Sequence, residues 1–343
     1  MLVPFSLRLT SPVRLLLLSL ADDESCTDLE VQWVDDPDHG SQGAVLLAVR
    51  RDGTADVHVD RRLTLPRADY EVGAGTQRFG PAAMDPCRFE VTAAGVQVDL
   101  GLTLHDGRDL HLVVHEDRTS PPPVVRMLAP AGHAMSRPRF FPFFWMDHIW
   151  FLRWRGARVQ VEVDGRPRRV VRMGAPYRLV RYATAPMTAL WCEEGSGPVP
   201  VVPDEPGEHT CGAGVVTVEE ADGSPAVASV QVRRGGAALG VSFDPAVPDL
   251  GSLDDGPSLG RWTAWASGRS QLGGWWEADR RGATVRLTQA VDEPWRPGPQ
   301  PAAAGLVFRL LPVFRTWPTT YRWSGTVDLG SDPPTMTSGW SRT

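Results

Sequence analysis

The run FFPFFWMDHIWFLRWRG, residues 140 to 156, sets one acid and one imidazole, Asp147 and His148, among Phe and Trp side chains. A carboxyl group and an imidazole in apolar surroundings have displaced proton affinities. That suits general acid–base work, or hydrogen bonding to a substrate carbonyl. Read as one continuous strand, the segment points Met146, His148, Trp150, Leu152 and Trp154 one way, and Asp147, Ile149, Phe151 and Arg153 the other. It is then either the wall of a pocket with two polar tools, or a buried strand whose polar groups are satisfied locally. A membrane span needs about 20 apolar residues in succession, and Pro142, Asp147, His148 and Arg153 interrupt this one.

Other clusters could do chemistry too. His111 and His115 lie four apart on a strand pattern, roughly 13 Å along it. One metal ion with ~2 Å bonds cannot bridge that gap, so the pair reads as the polar face of a hairpin. FRTWPTTYRW (314–323) interleaves Arg315 and Arg322 with Trp317, Tyr321 and Trp323. Such a set can stack guanidinium on indole, clamp an anionic ligand group, or pack a strand edge. Glu277 and Asp279 beside Trp275 and Trp276 would share a strand face at about 6–7 Å. That is near glycosidase spacing, but DRRG at 279–282 reads as a turn, which disfavours the glycosidase. The chain has no lysine, no P-loop, no HExxH and no dinucleotide fingerprint, and no Gly-x-Ser with the flanks and following helix of a nucleophile elbow. Schiff-base chemistry falls away, nucleotide and redox enzymes are disfavoured, and no cofactor or metal is expected.

The elements that must hold these residues read as strands. VQVDLGLTLHDGRDLHLVVHED alternates apolar and polar residues with period two, and three further segments do the same. Each carries Asp-Gly between its apolar runs, at Asp52-Gly53, Asp106-Gly107, Asp164-Gly165 and Asp222-Gly223, a strong hairpin signal. For the second hairpin a three-residue loop, His105 to Gly107, pairs Leu102 with Leu110, Leu100 with Leu112 and Val98 with Val114. Asp99, Thr103, His111 and His115 take the other face. Gly (34) and Pro (31) punctuate the chain and leave no long amphipathic helix. The expected fold is all-β, with two antiparallel β-barrel or sandwich domains and few short helices.

Length and composition agree with two domains: 343 residues exceed what one core usually serves. The Pro-rich stretch 193–210 reads as the linker between an N-terminal domain, 1–192, and a Trp-rich C-terminal domain, 211–343, which holds eight of the 13 Trp. A second Pro-rich stretch, 118–132, reads as a crossing at one end of a barrel. Net charge is −6 and the Arg residues are scattered among acids, so no nucleic-acid partner is expected. Four Cys lie far apart without a CxxC. Reduced thiols are the preferred reading, with a Cys192–Cys211 disulfide left open. The apolar run Leu15–Leu20 is too short for a signal-peptide core, and a cytoplasmic protein is expected.

WMDHIW (145–150) is similar to the His-Asp-His-Asn-Trp-Gly signature of the two-domain lipocalin-like carotenoid hydratases and Diels–Alder cyclases. It matches in Asp147, His148 and Trp150, while Met146, Ile149 and Phe151 replace the His, Asn and Gly. The resemblance implies a lipocalin-like pair of β modules that fold an apolar polyketide or isoprenoid in a pocket between them, where holding the reacting ends together lowers the barrier. It implies a cyclase, isomerase or hydratase with Asp147 and His148 as the polar pair. Phe144, Trp145, Trp150 and Trp154 would be wall, and Arg315, Tyr321 and Trp323 would come from the second module. A non-catalytic lipid or carbohydrate binder and a ligand-free scaffold are the competing readings.

Overall fold

The computed structural model describes all residues except 37–38, 72–73, 93–94, 118–123, 131–137, 147, 154–155, 172–176, 185–186 and 212–213. The side chains of 148, 150, 151, 153, 177–184, 303 and 315 lie outside that description as well.

The chain is all-β, as its alternation requires. The four Asp-Gly turns form because each Gly takes a positive φ, from 69° at Gly165 to 89° at Gly107. At Asp164-Gly165 and Asp222-Gly223 the Asp is also left-handed, at 52° in both. These are two-residue hairpin loops between Val163 and Arg166 and between Ala221 and Ser224. The second hairpin keeps the register read from its alternation: Leu102 opposite Leu110, Leu100 opposite Leu112, Val98 opposite Val114.

Strands gather into four sheets, and among the described residues none closes on itself. A five-stranded sheet, built on Gly95–Thr103 and Asp109–Asp117, packs on one face of a seven-stranded sheet. The seven-stranded sheet runs from His148–Arg153 through Tyr177–Thr184, Pro12–Ser19, Cys26–Asp36, Ser41–Arg50 and Ala55–Asp60 to Thr76–Ala82. Leu16, Leu18, Leu29, Val31 and Leu46 fill that sandwich from its side. A four-stranded sheet of Leu7–Leu9, Met187–Trp191, Phe141–Met146 and Met127–Ala129 lies beyond the opposite face. Its far side packs in turn on a ten-stranded antiparallel sheet spanning Gly195–Pro198 to Thr335–Arg342.

The run at 140–156 is therefore not one strand. Phe141–Met146 belongs to the four-stranded sheet and His148–Arg153 to the seven-stranded one. The chain changes sheet between Met146 and His148, so the period-two alternation does not carry from one strand to the other. Pro-rich 193–210 contributes Gly195–Pro198 at one edge of the ten-stranded sheet and begins Gly207–Cys211 at the other. The N-terminal residues lie against the connection between those edges. Val3 N–H donates to the Pro200 carbonyl at 3.1 Å, and Leu250 N–H to the Leu2 carbonyl at 3.1 Å, while Phe5 stacks on Phe243 with ring centroids 5.4 Å apart. Among the described residues helix is confined to Ala302–Leu310, the single turn Val313–Thr316 and two short 3₁₀ segments. Among the described residues no helix is long and apolar enough to cross a membrane. All four cysteines are free thiols, so Cys192 and Cys211 are not bridged.

On the face of Ala55–Asp60 turned to the five-stranded sheet, His58 is 1% exposed and both ring nitrogens lack a partner among the described residues. It stacks on His105 at 3.9 Å between centroids. Burial, then the neighbouring His105, push its pKa from 6.5 down to about 3. Below pH 6.5 the unfolded chain takes up a proton that the folded chain refuses. Stability from this group is thus complete above pH 6.5 and is lost progressively as pH falls toward 3. Between pH 7 and 5 denaturant melts of the wild type should lose about 2 kcal/mol more than those of His58→Leu. Equal losses in the two proteins would show that His58 is not held neutral.

Candidate functional site

A cavity of about 500 Å³ lies between the seven-stranded and four-stranded sheets. That is within the usual range for small-molecule sites. All of its described lining residues fall between Thr10 and Leu190.

One wall is the Phe141–Met146 strand, which is buried on both faces. Pro142, Phe144 and Met146 face the cavity, joined by Thr188 and Leu190 from the paired strand. The alternate residues face the other way, into a closed aromatic core. Phe141 stacks on Trp317 at 5.3 Å and meets Tyr321 edge-on at 4.9 Å; Phe143 packs on Trp191 at 6.4 Å. A strand with two apolar environments must be apolar at every position, which accounts for the continuous FPFFWM. Ile149, just past the sheet change, also lines the cavity.

The opposite wall is the free face of the seven-stranded sheet. Down its Cys26–Asp36 strand run Asp28, Glu30 and Gln32. The register sets Leu15 and Val45 beside Gln32, Leu17 and Leu47 beside Glu30, and Ser19 and Val49 beside Asp28. A polar row thus lies between two largely aliphatic rows. Ser19 donates its hydroxyl to Asp28. Gln32 Nε2 donates to Glu30 Oε1 at 2.7 Å, which fixes the amide and leaves Gln32 Oε1 without a partner among the described residues, at 7% exposure. The Arg67–Tyr70 turn adds Asp69, Tyr70 and Glu71 to the rim. Arg8 spans Asp69 at 2.6 Å and Glu193 at 2.8 Å. Hydrogen bonds to Glu193 and Asp69 raise its pKa further. Arg67 sits 3.5 Å from Glu71.

Thr10 and Thr188 close the end nearest Gln32. Thr10 donates its N–H and its hydroxyl to the Thr188 carbonyl, at 2.7 and 2.9 Å. The Thr188 hydroxyl itself lacks a partner among the described residues, at 8% exposure. Arg234, from the ten-stranded sheet, donates to the carbonyls of Thr10 and Pro12 and ties this corner down.

Of the residues singled out from sequence, Phe144 lines the cavity. Trp145 is 5% exposed and lies in the core behind the wall. Tyr321 and Trp323 are 1% and 0% exposed in the same core, Trp323 meeting Phe5 at 5.7 Å. Tyr321 carries the guanidinium of Arg342 at 5.0 Å, and Arg322 lies over Trp275 at 5.9 Å. Asp147 and Trp154 lie outside the described residues. His148 and Trp150 are placed by backbone alone, opposite Thr184 and Tyr182, and Arg315 lies in the Val313–Thr316 turn. His111 pairs with Asp99 at 2.9 Å on the exposed face expected for it. Among the described residues no group of His, Cys, Asp and Glu could hold a metal ion. Sequence reading missed Asp28, Glu30, Gln32, Tyr70 and Thr188.

No protein-family model matches this chain, and neither the curated proteins nor the solved structures include a significant match.

The two faces of the Phe141–Met146 strand separate in mutagenesis. Phe141→Ala empties a closed core and should cost about 3–5 kcal/mol in a denaturant melt. Phe144→Ala enlarges an existing space and should cost clearly less. Equal costs would mean that the cavity side is as tightly filled as the core.

Proposed function

We propose that this protein takes up an apolar small molecule in the cavity between its seven-stranded and four-stranded sheets, and converts it as a cofactor-independent cyclase or isomerase. The single observation behind this reading is the cavity itself, walled by Pro142, Phe144, Met146, Ile149 and the leucines of the facing sheet. An apolar guest there removes its own surface and that of the wall from water, at about 25 cal/mol per Å². Asp147 and His148 immediately precede Ile149 in the chain, and on this reading they are the acid–base pair. The two β modules, 1–192 and 211–343, then divide the work. The first encloses the guest, and the second braces the wall from behind with Trp317, Tyr321 and Trp340.

Tryptophan placement bears on the carbohydrate alternative. A sugar platform needs exposed indoles, yet Trp262, Trp276, Trp295, Trp317, Trp323 and Trp340 are all at most 8% exposed. Acrylamide should therefore quench the intrinsic fluorescence weakly.

Calorimetric titration with 1-decanol tests the uptake. Saturable binding is expected, and Leu17→Trp, which fills the space, should abolish it while the melting temperature stays within a few degrees. Absence of binding to the wild type removes the proposal. The conversion step is checked with Asp147→Asn and His148→Ala. Both should fold and bind 1-decanol as the wild type does, and both should lose conversion of a polyene that the wild type turns over. Full turnover by both would exclude these residues as the acid–base pair.

A further inference from the structure

We infer that this protein docks on the surface of an anionic lipid bilayer through the helix Ala302–Leu310. The inference does not depend on the cavity being a binding site.

A helix on a protein surface ordinarily turns polar side chains to water. Ala302–Leu310 reads AAAGLVFRL, and Arg309 is its one polar residue. The helix buries Phe308, 6% exposed, against Trp295 and Phe314 at centroid distances of 5.2 and 5.0 Å. Leu306 and Leu310 lie one turn apart, roughly 160° round the helix from Phe308, and Val307 extends their face. These three and Leu311 are between 46% and 66% exposed. Seven large apolar side chains are exposed among the described residues, so four of them belong to this one short element. Val124, a fifth, adjoins its start. There Arg126 N–H donates to Gln300 Oε1 at 3.3 Å, and Gln300 Nε2 donates to the Arg126 carbonyl at 2.6 Å. Aliphatic side chains gathered in this way mark a contact surface, as scattered ones do not.

The charge around this face selects its occupant. Between Glu293 and Asp328 the chain carries Arg296, Arg309, Arg315 and Arg322 and no acid, against a net charge of −6 for the whole. Arg309 is exposed and has no ion-pair partner among the described residues. The acids just before the segment are engaged. Asp292 pairs with Arg261 at 2.6 Å, and Glu293 with Arg261 at 3.0 Å and Arg296 at 3.4 Å. Positive charge beside an exposed aliphatic face matches the boundary between headgroups and acyl chains in an anionic bilayer. Leucines enter the apolar layer there, while an Arg beside them reaches up to the phosphates. A second copy of this chain is a poorer match, because an isologous contact brings two copies of the same acid-free, Arg-bearing segment together. The patch also shares a segment with the candidate site, since the Val125 carbonyl accepts from Ile149 N–H at 3.1 Å.

Co-sedimentation of the full chain with lipid vesicles tests this. The probes are vesicles of phosphatidylcholine and phosphatidylserine at about two to one, and of phosphatidylcholine alone. The wild type should bind the mixed vesicles at least about fivefold more strongly than phosphatidylcholine alone, and high salt should shrink that difference. Leu306→Ser combined with Leu310→Ser should keep the wild-type melting temperature, both sites being exposed, and should weaken binding at least about tenfold. Arg309→Gln should weaken binding to the mixed vesicles about fivefold and leave binding to phosphatidylcholine alone unchanged. Leu259→Ser, which changes an exposed aliphatic on the strand Gly256–Ala266, should bind as the wild type does. Failure to sediment with either vesicle, equal binding to both, or binding that the leucine variant leaves intact overturns the inference. So does a wild-type dimer in analytical ultracentrifugation that the leucine variant converts to monomer, because the face then joins two copies of the chain.

Discussion

A single strand, Phe141–Met146, has to satisfy a packed core on one side and an enclosed space on the other. Every other property of the site follows from that partition. Toward the ten-stranded sheet its rings close against Trp317, Tyr321 and Trp340 at centroid distances of 4.9 to 5.8 Å. Aromatic pairs at such distances add to the large area that they bury, so this side is rigid. Toward the seven-stranded sheet the same strand presents Pro142, Phe144 and Met146 to a cavity of about 500 Å³. A wall stiffened from behind can hold a space open in front of it.

The space persists because the facing sheet cannot collapse onto it. Asp28 and Glu30 lie directly across from an aromatic and aliphatic surface. Pressing ionised carboxylates onto Phe144 and Met146 would strip away water against a surface that offers no hydrogen-bond donor in exchange, which is costly. The polar row therefore does two things at once. It keeps the two sheets apart, and it leaves acceptor atoms facing the enclosed volume. Arg8 and Arg234 fix the geometry from outside the lining, Arg8 between Asp69 and Glu193 and Arg234 on the carbonyls of Thr10 and Pro12. Cavity and core thus share one framework, although the described lining comes from the first 190 residues.

Where local chemistry decides the backbone, the fold was legible. The hairpin at Gly107 shows this, since a left-handed glycine and a strict alternation leave one register, and that register is present. The change of sheet between Met146 and His148 was not legible. FPFFWM and HIWFLR both read as buried strand, and nothing in their residue types separates a strand that continues from one that turns into a second sheet. The candidate site was legible in part. Phe144 stood out as a ring in an aromatic run, but the acids across from it did not. TDLEVQW alternates as any half-solvated strand does, and period two cannot tell a face turned to solvent from a face turned to an enclosed cavity.

A subtler signal for the covered face does exist in the neighbouring strands. LLLL at 15–18 and AVLLAV at 44–49 are apolar on both faces, and both strands pair with Cys26–Asp36. A sheet whose flanking strands are apolar on both sides has no solvent face at that point. Acids on the central strand must then look into something covered, where an isolated charge is tolerated only beside a partner or a water-filled space. The mismatch between a central strand that alternates and neighbours that do not is thus a physical marker of an enclosed polar row. It locates Asp28, Glu30 and Gln32 with no reference to any catalytic motif.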